Sequence, residues 1–260
     1  MSDAGNILVR PRPRPDATRT LLCFGACGGG TSVFRPWADA VDGHTELALY
    51  CYPGRENRFG DPFATDWRQI VDEATEAATS LGDRELVLLG HSMGAWVAFE
   101  VARRLESGGG PAPVAVVASA SDAPTRWSHI WDRPPTPDDS DAELLGWMER
   151  VGQVPRIVLE EPDLADLAVE VFRADMAMAD TYRYKPGSRI TTPVQVWYGA
   201  DDDEVDREAA LRWREVTAGG CDVTELPGGH FYTGEVWSGL PGRIQVPIRP
   251  GVPGAAGPTS

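Results

Sequence analysis

Ser92 stands at the centre of Gly90-His91-Ser92-Met93-Gly94, a G-x-S-x-G pentamer. The apolar run Leu86 to Leu89 precedes it, and an apolar-periodic stretch carrying Trp96, Val97, Phe99, Val101 and Leu105 follows. A serine on so sharp a strand-to-helix turn presents its Oγ, and glycines flank it because a Cβ there would clash. The helix behind it points N-terminal N–H groups at the charge that develops during acyl transfer. The chemistry on offer is nucleophilic attack on an acyl carbonyl. A hydroxyl attacks only once a base takes its proton, and the base needs a carboxylate to orient it.

His230 is the histidine placed for that task. His44 precedes the serine, His91 lies inside the pentamer, and His129 falls in a stretch without strand patterning. His230 sits in Pro227-Gly228-Gly229-His230-Phe231, just beyond an expected strand, and the base follows nucleophile and acid in this kind of fold. For the acid, Gly199-Ala200-Asp201-Asp202-Asp203-Glu204-Val205 follows another expected strand. Three adjacent aspartates cannot all be buried as ions, so one turns toward the histidine while the others are solvated or cap the next helix. Asp202 is preferred; Asp122, one strand over, and Asp201 or Asp203 are the alternatives.

Two backbone donors should face the oxyanion: the N–H of Met93, and one from the glycine-rich loop Phe24 to Gly30. Within that loop the Cys27 thiol could itself be a nucleophile. No histidine adjoins it in sequence, and its position better suits a backbone donor. The loop has neither G-x-G-x-x-G spacing nor a P-loop ending, which argues against nucleotide binding.

These residues need a scaffold that brings strand ends together. Expected strands run Thr20 to Phe24, Glu46 to Cys51, Leu86 to Leu89, Val114 to Ala118, Val194 to Tyr198 and Asp222 to Leu226. Expected helices run Phe34 to Val41, Asp66 to Leu81, Met93 to Glu106 and Asp206 to Thr217. Their alternation predicts an α/β fold with a mostly parallel central sheet flanked by helices. Between Ala118 and Val194 no strand pattern appears. Two amphipathic stretches, Ala142 to Val151 and Leu164 to Tyr182, predict a helical lid insertion over about 122–186, above the strand edge where ligands bind. One domain over 19–238 is expected, flanked by a disordered basic Pro-rich arm at 1–18 and a disordered Pro/Gly tail at 239–260.

Composition narrows the partners. The 260-residue chain carries a net charge of −15, and Lys185 is the only lysine among 24 basic residues. A surface so acidic does not suit nucleic acid. No run approaches the roughly 18 apolar residues of a membrane span, and the arginine- and proline-rich start is no signal peptide, so a cytoplasmic protein is expected. Cys23, Cys27, Cys51 and Cys221 have no C-x-x-C spacing and read as free thiols. No pair of histidines has i, i+4 spacing, so no metal is expected.

Taken together, these blocks resemble the type II thioesterases of polyketide and nonribosomal peptide synthesis, discrete α/β-hydrolases. The resemblance runs from about Thr20 to Phe231. It rests on Leu22-Cys23-Phe24 through Val33-Phe34-Arg35-Pro36-Trp37, Pro53-Gly54-Arg55-Glu56-Asn57-Arg58, the Ser92 pentamer, Phe172-Arg173-Ala174-Asp175, Gly199 to Val205 and Gly228-Gly229-His230-Phe231. It implies that Asp202 is the acid and that the second oxyanion donor is at Cys27, where alanine is commoner. It implies hydrolysis of acyl groups from the phosphopantetheine arm of an acyl or peptidyl carrier protein, with no cofactor of the chain's own, by a monomer. Arg55, Arg58 and the lid favour a carrier-bound substrate. The alternatives are an esterase or acyl-CoA thioesterase on free small molecules, and a non-catalytic carrier-binding module. The sequence departs from the pattern in Phe24-Gly25, where Phe-Pro is usual, and after the histidine loop, where Gly and Pro replace the usual final helix.

Overall fold

The computed structural model describes residues 7–108, 111–129 and 135–246. Strands β1 (Leu8–Val9), β2 (Arg19–Phe24), β3 (Thr45–Tyr50), β4 (Glu85–His91), β5 (Ala115–Ser119), β6 (Val194–Gly199) and β7 (Cys221–Leu226) form one sheet, ordered β1-β3-β2-β4-β5-β6-β7. Neighbours from β3 across to β7 pair in parallel; β1 adds an antiparallel edge to β3. The central strands are buried on both faces, as a parallel sheet under two helical layers requires.

Strand alternation divides the core. Leu22, Phe24, Leu88, Val116 and Val196 pack on one face with α1 (Trp67–Thr79) and α2 (Met93–Ser107). Leu21, Cys23, Val87, Leu89 and Val117 face the other way, against Phe34, Trp37 and Leu240. Asp66 caps α1 by accepting the Arg68 N–H, and the helix buries Trp67, Ile70, Val71, Ala74, Ala77 and Ala78, its expected apolar face. The expected first helix is a 3-10 segment, Ser32–Ala38, with Pro36 inside it.

The strandless region holds α3 (Asp141–Arg150), α4 (Arg156–Glu160) and α5 (Pro162–Ala179). A small core of Leu144, Trp147, Met148, Val169, Phe172 and Met176 joins α3 to α5. The helix expected over Asp206 to Thr217 splits into α6 (Arg207–Leu211) and a 3-10 turn, Arg212–Glu215.

Both ends differ from expectation. Residues 7–18 of the arm expected to be disordered lie along the sheet edge: Leu8 and Val9 pair with Tyr50 and Leu49. The Arg14 guanidinium donates to the carbonyls of Ala38 at 3.1 Å and Thr45 at 2.9 Å, and the Arg14 N–H to buried Glu46 at 3.0 Å. One fork satisfying several carbonyls offsets the chain entropy that the Pro-rich composition pointed to. In the tail, Leu240 and Pro241 are buried, and Gln195 and Gln245 exchange two hydrogen bonds. The expected disorder of 1–6 and 247–260 lies outside the described residues.

Candidate active site

The chain winds outward from β2 to β3 and then crosses back to β4 on the other side of β2. Ligands bind where strand order reverses in this way, beyond the C-terminal strand ends. Register brings the loops to one rim: Phe24 of β2 is level with Gly90 of β4, His91 with Ser119 of β5, and Gly199 of β6 with Leu226 of β7.

Ser92 sits at φ 54°, ψ −122°, a conformation that side chains rarely adopt. Its N–H donates to the Ser119 carbonyl at 2.8 Å, which braces the turn. A Cβ on Gly90 would lie 2.0 Å from the Gly94 carbonyl oxygen, and one on Gly94 would lie 2.3 Å from that of Phe24. Both glycines are therefore required by space: the start of α2 presses directly on β2 and β4.

His230 and Ser92 line one cavity of about 400 Å³, whose walls also include Cys27, Met93, Trp96, Trp147 and Phe172. Behind the ring, His230 Nδ1 is 3.0 Å from Asp202 Oδ2, and the Asp202 side chain is fully buried. Asp202 Oδ1 accepts the Glu204 N–H at 2.8 Å, which leaves Oδ2 directed at the imidazole. Asp201 and Asp203 are exposed. Asp206 caps α6 by accepting the Ala209 N–H at 2.8 Å. Asp122 is engaged elsewhere: its carboxylate takes the Arg212 guanidinium at 2.6 and 2.9 Å and the Ala123 N–H at 2.6 Å. Burial, with the nearby Asp175 carboxylate, pushes the Cys27 thiol well up, so the thiolate that a cysteine nucleophile needs does not form at neutral pH.

One further group carries no motif of its own in the sequence. Buried His91 packs against the His230 ring at a centroid distance of 5.4 Å. Its Nδ1 is 2.9 Å from Ser119 Oγ, which lies 2.8 Å from the Tyr232 hydroxyl, and that hydroxyl donates to the Trp197 carbonyl at 3.1 Å. Following the donors back from that carbonyl puts the Ser119 proton toward Tyr232 and the His91 proton on Nδ1. Burial first, and then electrostatic interaction with His230, holds His91 well below its ordinary range and therefore neutral. The nearness of His91 to Ser92 and of Tyr232 to His230 along the chain is the signal that could have found them.

The arginines expected to favour a carrier are corrected. Arg55 and Arg58 are buried; Arg55 forms a fork with Asp175, and Arg58 pairs with Glu73 at 2.5 Å and Asp61 at 2.7 Å. Buried guanidinium groups so engaged do not reach an outside partner. The segment after the histidine loop is a short helix, α7 (Gly234–Gly239), followed by a 3-10 turn, Leu240–Arg243. Trp237 on α7 packs on Phe34, Trp37 and His91 at 5.5, 5.1 and 5.2 Å between ring centroids, covering the sheet face there. Among the described residues no cluster of His, Cys, Asp and Glu is placed to hold a metal ion, and no helix is long and apolar enough to cross a membrane.

Comparison with known proteins agrees with this arrangement. The thioesterase domain model matches residues 19–243. The medium-chain S-acyl fatty acid synthase thioesterase of Homo sapiens is 30% identical over 222 residues, covering 84% of this chain and 82% of its own. Thioesterase PikA5 of Streptomyces venezuelae is 30% identical over 241 residues, covering 90% of this chain and 83% of its own. The solved structure of the type II thioesterase BorB, from the borrelidin biosynthetic cluster, superposes with a TM-score of 0.81 at 30% identity, covering 94% of this chain and 97% of its own. A serine turn, a histidine loop and a shared cavity on one rim of this sheet, with a family model spanning almost the whole described chain, make this protein a member of the thioesterase domain family, an α/β-hydrolase by fold.

Proposed function

We propose that the chain hydrolyses acyl thioesters on the phosphopantetheine arm of an acyl or peptidyl carrier protein, clearing stalled or aberrant groups during polyketide or nonribosomal peptide synthesis. Ser92 is the nucleophile, His230 the base and Asp202 its orienting acid. The N–H groups of Met93 and Cys27 form the oxyanion hole, and the α3–α5 insertion is the lid. The observation that carries this reading is the buried Asp202–His230 hydrogen bond directly behind a cavity shared by His230 and Ser92.

In this mechanism Ser92 Oγ attacks the thioester carbonyl as His230 Nε2 takes its proton. Asp202 holds the ring proton on Nδ1 and stabilises the imidazolium. The oxyanion is met by the N–H groups of Met93 and Cys27, and the dipole of α2, which starts at Met93, adds to them. His230 returns its proton to the departing thiol. It then activates water, which releases the acid and regenerates the serine. The pantetheine belongs to the substrate, and the chain needs no cofactor of its own. Trp96, Trp147 and Phe172 give the acyl group an apolar wall.

Brief exposure of the wild type to an acylated carrier protein, followed by mass spectrometry, should reveal the acyl group on Ser92. Ser92→Ala should lower hydrolysis by at least about 10³-fold; an undiminished rate refutes this nucleophile. A kcat/KM about tenfold higher for the same acyl group on CoA, a difference of about 1.4 kcal/mol in barrier, refutes the carrier assignment.

A further inference from the structure

An oxyanion donor works only when its N–H is aimed at where the charge will appear. The loop offering the Cys27 N–H is poorly suited to hold that aim unaided. It runs Gly25-Ala26-Cys27-Gly28-Gly29-Gly30, with Gly28 at φ +72°. Its own internal bond is a turn in which the Gly29 N–H donates to the Ala26 carbonyl at 2.9 Å.

Other elements hold it. Gln153 Nε2 donates to the Cys27 carbonyl at 2.7 Å, and Asp175 Oδ2 accepts the Gly28 N–H at 2.7 Å. These two contacts grip opposite edges of one peptide unit, the one joining Cys27 to Gly28. With that plane fixed, rotation at the Cys27 Cα is what remains to aim the Cys27 N–H. Phe172 closes over the same point: a Cβ on Gly28 would lie 2.6 Å from its ring. Asp175 is fixed in turn by Arg55, whose Nη1 and Nη2 reach Oδ2 at 2.7 Å and Oδ1 at 2.5 Å; Nη1 also donates to the Gly29 carbonyl at 2.8 Å. Gln153 lies between α3 and α4, and Asp175 lies on α5, so both belong to the insertion.

We infer that Gln153 and Asp175 are positioning residues for catalysis: the insertion, by clamping the Cys27–Gly28 peptide, completes the oxyanion hole as well as covering the acyl cavity. This rests on Ser92 as nucleophile and the Cys27 N–H as donor. It departs from the view of the insertion as a cover alone, since undocking it would disarm the site chemically as well as open it.

Gln153→Ala is the informative variant, because it is neutral, leaves no buried charge and spares the Arg55–Asp175 pair. Four quantities are compared with wild type: kcat and KM on an acyl-pantetheine thioester, the pH profile of kcat, and the rate at which a fluorophosphonate labels Ser92. Misaiming one donor should lower both kcat and labelling by about 10²-fold. KM should stay within about twofold, and the profile should keep its shape because His230 is untouched. Asp175→Asn should act in the same direction. A purely structural role would lower the melting temperature and leave the rate per folded site unchanged; that result, or wild-type labelling by Gln153→Ala, overturns the inference. Labelling also separates the two claims. A wild type that is labelled at Ser92 but cleaves no carrier thioester defeats the proposed substrate, while the Gln153→Ala labelling ratio still decides the clamp. A wild type that is not labelled at Ser92 defeats both.

Discussion

Replacing Asp202 by asparagine keeps the side chain's shape and removes its charge, and both of its oxygens already have assignments. Oδ1 accepts the Glu204 N–H at 2.8 Å, and Oδ2 faces His230 Nδ1 at 3.0 Å. An asparagine preserves the first bond only by placing its carbonyl oxygen there, which drives its NH2 against Nδ1. The ring must then accept at Nδ1 and carry its proton on Nε2, so no lone pair remains for the serine proton. The flipped amide would set its NH2 against the Glu204 N–H in a fully buried site, a conflict costing about 1–3 kcal/mol. A wrong tautomer in a serine triad lowers kcat by about 10⁴. Partial escape through the flip sets the expected loss at about 10³–10⁴-fold, or roughly 4–5.5 kcal/mol of barrier, with KM near the wild-type value. Initial rates on an acyl-pantetheine thioester, followed by thiol release, measure it. Asp122→Asn is the control and should stay within about threefold of wild type, because the Asp122 carboxylate is engaged by Arg212. The reasoning fails if Asp202→Asn keeps a tenth of wild-type kcat, or if Asp122→Asn is the variant that collapses.

The strained φ of 54° at Ser92 predicts that Ser92→Gly gains about 1 kcal/mol of stability in urea denaturation, whereas Ser92→Ala, which keeps a Cβ, does not. A glycine variant less stable than the alanine one would contradict the strain. Because burial holds His91 below its ordinary 6.5, the unfolded chain gains a proton that the folded chain refuses once pH falls past that value. The stability advantage of wild type over His91→Gln should therefore be constant above about pH 6.5 and shrink below it by up to about 1.4 kcal/mol per pH unit; a constant difference down to about pH 5 would show that the folded site accepts the charge. Arg55→Met and Asp175→Leu should each cost about 3–5 kcal/mol by stranding a buried charge, and the double variant should recover most of that loss. Simple additivity of the two losses would show that the pair is not coupled.

Features made by near neighbours along the chain are legible in the residues themselves. The Ser92 turn is one at Gly90, which answers to contacts with Gly94 and Ala95, whereas Gly94 answers to the strand end at Phe24, near only in space. His230 is legible too, because a loop at a strand's C-terminal end has one rim to reach. Composition misleads where one polar side chain reaches far. Arg14 ties the arm to the start of β3 and to the 3-10 segment before it, more than twenty residues distant, and no property of a Pro-Arg repeat announces that. Arg55 looks like outward charge for the same reason: the distance of its partner Asp175 along the chain hides the burial.

The alternation of strands and helices, the serine turn and the place of the His230 loop follow from the chain's own pattern, because apolar periodicity and glycine spacing act within a few residues. Which of several aspartates serves the histidine is settled in three dimensions, since it depends on which carboxylate is buried against the ring and which is claimed by Arg212. The same holds for Gln153 and Asp175, remote in sequence, which grip the loop after β2. Hydrogen-bond partners are chosen by distance in space, and local pattern carries no record of that distance.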